Sequence, residues 1–71
     1  MDFNTNIETY SIAELLIILN MNDVEARDPD LIRDRVEPFL EKYKSLDDTK
    51  MVNFFQDIQS TLVNYAEELE E

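Results

Sequence analysis

The sequence predicts an all-α fold: a small three-helix bundle preceded by a short N-terminal arm. Three observations carry this expectation. The 71 residues contain no glycine, so every φ > 0 turn must be made by Asn or Asp, which disfavours tight hairpins and suits helices joined by short polar links. Three segments space their apolar residues with helical period. Each of these segments opens on a residue that caps helices well: Ser11, Asp28, and Asp47 or Asp48. A chain of this length makes one domain, with residues 1–9 as the arm and 10–70 as the bundle.

The arm, MDFNTNIET, has Phe3 and Ile7 as its apolar residues beyond Met1, four apart and able to tuck against the domain. The first helix is expected at about 11–19. Ser11-Ile12-Ala13-Glu14 reads as a capping box, and Tyr10 with Leu15 stand at the two positions of a hydrophobic staple. Asn20 replaces glycine at the helix end, because Asn tolerates the left-handed conformation. In the link 21–27, Met21 and Val24 are expected to cover the end of the bundle.

The second helix is expected at about 29–44, with Asp28 as N-cap, Pro29 at N1 and Asp30 favoured by the positive helix end. Ile32, Val36, Phe39, Leu40 and Tyr43 form one stripe that keeps phase across Pro38. One kinked helix is preferred over two shorter ones. The third helix, about 48–69, carries Met51, Phe55, Ile58, Leu62, Tyr65 and Leu69 at alternating steps of four and three, widened by Val52, Phe54, Val63 and Ala66. The tail EELEE puts acids at the negative helix end, which favours fraying.

The net charge is −11, and its distribution matters more than its size. Residues 1–26 and 51–71 each hold five acids and no base, whereas all six Lys and Arg lie between Arg27 and Lys50. Such a surface repels nucleic acid and anionic membrane. It serves solubility, or it offers a docking face to a basic partner, as a nucleic-acid mimic does. No basic n-region follows Met1, and the longest apolar run is Leu15–Leu19. The expectation is an intracellular protein without a membrane span. The absence of cysteine leaves the redox compartment open, although a small domain without disulfides suits a reducing interior.

Composition removes most chemistry. Without His or Cys there is no zinc site of the usual type, no imidazole acid–base catalyst, no Ser-His-Asp triad and no thiol nucleophile. Without Gly there is no P-loop and no dinucleotide fingerprint. The oxygen-rich stretch from Asn20 to Asp30 lacks the spacing of an EF-hand and reads as caps and turns. Paired acids such as Asp47-Asp48 and Glu67-Glu68 read as solvated faces in a bundle too small for a deep cleft. No enzymatic activity, cofactor or metal is expected.

What remains is surface. Leu15 to Leu19 run together without a polar gap, and Ile17 and Ile18 stand off the stripe made by Ile12, Leu15, Leu16 and Leu19. Either the first helix lies in a groove and buries them, or they form an exposed patch that a partner covers. Phe54, beside the core residue Phe55, either packs against another helix or faces outward. Ile17, Ile18 and Phe54 are the candidate partner-binding residues, on the first helix and the outer face of the third. Self-assembly through the seam of the third helix is a further expectation.

Tyr10-Ser11-Ile12, Glu14-Leu15-Leu16 and Leu19-Asn20-Met21, followed by Phe54-Phe55 and Ile58-Gln59, resemble a small helical domain found in proteins of nucleocytoplasmic large DNA viruses. Its pattern is YSxxELLxxLNL, then FFxx-hydrophobic-Gln. The likeness covers about residues 7–63, and Met21 stands where the pattern has Leu. The resemblance implies a viral setting in the host cytoplasm or virion and a docking role toward a viral structural protein. It implies no catalytic residues.

Overall fold

The computed structural model describes residues 5–69. Phe3, expected to tuck against the domain, and the last two acids of the tail lie outside the described residues. The chain is all-α, with three helices, α1 (Ile12–Ile18), α2 (Pro29–Ser45) and α3 (Thr49–Leu69), and no strand among the described residues. Two short 3₁₀ turns, Ile7–Thr9 and Glu25–Arg27, precede α1 and α2.

Each helix begins where its capping chemistry dictates. At α1, the Glu14 N–H donates to Ser11 Oγ at 3.2 Å and the Ser11 N–H donates to Glu14 Oε1 at 2.9 Å, closing the capping box. Asp28 Oδ1 accepts from the Asp30 and Leu31 N–H groups at the start of α2, with Pro29 at the first helical position. At α3 it is Asp48, not Asp47, that caps, accepting the Met51 N–H at 3.2 Å.

The helix ends are equally specific. Among the described residues, Asn20 and Asp47 have positive φ, at 56° and 55°. Each is the left-handed residue of a Schellman motif. The Met21 N–H reaches Leu16 O at 2.9 Å and the Asn20 N–H reaches Ile17 O at 3.0 Å. At the end of α2, the Asp48 N–H reaches Tyr43 O at 2.9 Å and the Asp47 N–H reaches Lys44 O at 3.1 Å. Asp48 therefore closes α2 and opens α3, and only Leu46, Asp47 and Asp48 separate the two helices.

α2 is one continuous helix through Pro38. Pro38 has no N–H to offer the Asp34 carbonyl, and both residues are on the exposed side of the helix.

α3 is the spine. At 21 residues it extends for about 32 Å, which sets the 37 Å long axis of the molecule. α2 packs along one side of it, where Phe55 stacks on Phe39 at 4.5 Å between ring centres and lies 5.7 Å from Tyr43. The N-terminal segment packs along another side, where Phe54 meets Tyr10 at 5.7 Å. Because α3 is covered on two sides, it buries a wider arc than one seam: Phe54, Phe55, Ile58, Leu62, Val63 and Ala66. The core is completed by Leu15, Leu16, Leu19, Met21, Ala26, Ile32 and Val36, and among the described residues no polar or charged one is buried with them.

Two expectations about the link 21–27 divide. Met21 does seal the core, but Val24 is 77% exposed and covers nothing. Ala26 takes that place, because the link folds into a 3₁₀ turn instead of an open loop. Asn22 and Glu25 form a second reciprocal cap, with the Glu25 N–H on Asn22 Oδ1 at 2.8 Å and the Asn22 N–H on Glu25 Oε1 at 3.1 Å.

Candidate docking surface

α1 has only seven residues, two turns, and makes its main contact with α3. Two turns laid on one neighbour leave an outward side. Leu15 and Leu16 point into the core, as does Leu19, which forms the C-cap. Ile12 and Ile18 are half-buried against that core. Ile17 is 76% exposed, on the same face as exposed Ala13 and Glu14. The unbroken apolar run thus divides into core, margin and surface within five residues.

Phe54 is a correction as a partner-binding residue: of its two sequence readings, packing and outward exposure, the structure takes packing, at 1% exposed against Tyr10 and Phe55. The N-terminal segment lies over it. The outer face of α3 is a second correction: Asn53, Gln56, Asp57, Ser60 and Asn64 are exposed there, so the face is polar. Of the apolar seam of α3, Phe55, Ile58 and Leu62 are buried in the intramolecular core, Met51 and Tyr65 are half-buried, and Leu69 is exposed.

Sequence reasoning missed Leu46, which is 63% exposed in the short α2–α3 turn. Its neighbours Tyr43, Lys44, Asp47, Asp48, Thr49 and Val52 line an open recess of about 230 Å³.

The charge pattern survives in three dimensions. Residues 5–26 carry Glu8, Glu14, Asp23 and Glu25 with no base, and α3 beyond Lys50 carries acids only. α2 holds four of the six bases, interleaved with acids. One of them bridges elements: Arg35 donates to Glu25 Oε2 at 2.7 Å and to Asn20 O at 3.0 Å, fastening the link to α2. The other ion pair among the described residues, Arg33–Asp30 at 3.3 Å, is local to α2. No group of three or more His, Cys, Asp or Glu converges among the described residues, and no helix there is long and apolar enough to cross a membrane.

Ile17, Val24, Leu46 and Leu69 are the exposed large apolar side chains among the described residues, and Ile17 is the one of them on α1. No family model, curated protein or solved structure matches this chain.

Proposed function

We propose that this domain is a non-enzymatic protein–protein docking module that presents Ile17, flanked by Ile18, to a partner protein. The observation that carries the reading is a large aliphatic side chain, 76% exposed, on a helix whose two ends are pinned by a capping box and a Schellman motif. A helix fixed at both ends is a rigid platform, so binding orders few further groups. The YSxxELLxxLN resemblance supports a large-DNA-virus setting, with a virion structural protein as partner.

Affinity capture tests this. The tagged domain and its Ile17→Ser variant are exposed to extract of the native, virus-infected cell and washed at low and high salt. The expected result is a structural protein that the native sequence retains at high salt and that Ile17→Ser loses. Identical capture by both proteins removes the reading.

The net charge of −11 favours a second reading, an acidic regulator that occupies a basic nucleic-acid-binding protein as a DNA mimic. Its signature is capture that depends on low salt and ignores Ile17.

A further inference from the structure

We infer that residues 5–19 form a lid, which lifts as one unit about Asn20 and uncovers the Phe54 side of α3 while the link, α2 and α3 keep their fold. The inference concerns the motion of the molecule itself and does not rest on the docking reading.

α3 carries two separable interfaces. On one side Phe55 meets Phe39 at 4.5 Å and Tyr43 at 5.7 Å between ring centres. Asp48 joins the same two long helices, closing α2 and capping α3. On another side Phe54 meets Tyr10 at 5.7 Å, and α1 lays Leu15, Leu16 and Leu19 against the core. The Phe55 stack and the Asp48 turn include no residue of the N-terminal segment, so lifting that segment leaves them intact.

The edge of the lid falls at Asn20. Beyond it the link is fastened to the rest: Ala26 is buried, and Glu25, reciprocally capped with Asn22, takes the Arg35 guanidinium at 2.7 Å. Before it, the capping box and the backbone bonds of α1 run within residues 11–21, and α1 meets the core through its leucines. Asn20 stands between them with φ at 56°, where the chain turns away from the helix axis, and its carbonyl is held by Arg35 at 3.0 Å. The pivot therefore has a fixed side, on α2. Lifting the lid forfeits the burial of one two-turn helix, whereas separating α2 from α3 forfeits the interface of a 17-residue and a 21-residue helix. Opening of the lid thus lies below global unfolding in free energy. Two turns do not hold a helix once detached, so the amides of α1 lose protection together.

The test is native-state hydrogen exchange of the whole chain, followed by NMR in low concentrations of urea. The Leu15, Leu16 and Leu19 amides are expected to exchange at one shared level, about tenfold or more faster than those of Ile58 and Leu62 in α3, with a urea dependence smaller than that of α3 but above zero. Phe39→Ala removes a ring from the α2 side of α3 alone. It should speed exchange at Ile58 and Leu62 about tenfold or more and leave the α1 amides within about threefold. Phe39→Leu replaces it if the alanine variant does not fold. Equal rates and equal urea dependence in α1 and α3 mean one cooperative unit and overturn the inference. So does a separate rate for each α1 amide without urea dependence, which is fraying of single bonds. Acceleration of the α1 amides by the Phe39 variant to the same degree as Ile58 and Leu62 also overturns it.

Discussion

Ile17 and Phe54 were grouped by the same sequence reasoning and have opposite places in the molecule. Their energetics should differ accordingly. Ile17→Ser removes an exposed side chain and is expected to change unfolding free energy by less than about 0.5 kcal/mol. Phe54→Ala empties a site that is 1% exposed, at a cost of about 3–5 kcal/mol. A domain of this size has roughly 4–10 kcal/mol in total, so the second variant should lose about a third or more of its stability. Urea denaturation of both checks this; equal midpoints would contradict the burial pattern. The Arg35–Glu25 contact joins side chains that are 37% and 26% exposed. Solvent screening keeps its value modest, and a double-mutant cycle with Arg35→Met and Glu25→Gln should give a coupling of about 1 kcal/mol that shrinks with salt.

At the scale of elements, the helix ends carry the clearest sequence information. Ser11 with Glu14, Asn20, and Asp28 with Pro29 each act as their chemistry requires, because capping is decided by neighbours in the chain. The turn at Glu25–Arg27 escaped notice although Asn22 and Glu25 have capping-box spacing, since no apolar run follows them to mark a helix. Phe54 was left between packing and exposure for a different reason. Periodicity gives the direction of a helix's apolar stripe, but how wide an arc is buried depends on how many neighbours lie over it, which is a tertiary fact. The same holds for Ile17, whose exposure follows from α1 having a single main neighbour.

Backbone conformation at the helix ends and at Pro38 leads to measurable effects. Asn20→Gly and Asp47→Gly relieve positive φ values and should each add a few tenths to about 1 kcal/mol of stability, whereas Asp47→Val should remove about 1–2 kcal/mol. Pro38→Ala restores a donor to Asp34 O in the middle of α2 and is expected to add about 1–3 kcal/mol. A melting temperature that fails to rise for Pro38→Ala would mean that the proline shapes the helix in a way the packing needs.

For the molecule as a whole, the decisive quantity is charge. Seventeen acids against six bases on a body with a radius of gyration of 12.0 Å repel one another more when folded than when the chain is expanded. Added NaCl should therefore raise the melting temperature by several degrees between about 10 and 500 mM, through screening. A melting temperature that falls over this range would show that the Arg35 and Arg33 pairs outweigh the general repulsion.

The position of the spine has a consequence for biosynthesis. α1 leaves the ribosome first, yet the surface that buries Leu15, Leu16 and Leu19 includes α3, made last. Two turns of helix are too short to hold shape alone, and at about 5–20 residues per second the delay until Ala66 is synthesised is on the order of 3–10 s. Through that interval the most apolar run of the chain waits without a cover. The nascent protein thus passes through a window in which its N-terminal leucines are open to chaperones, and the acids around them help keep neighbouring nascent chains apart.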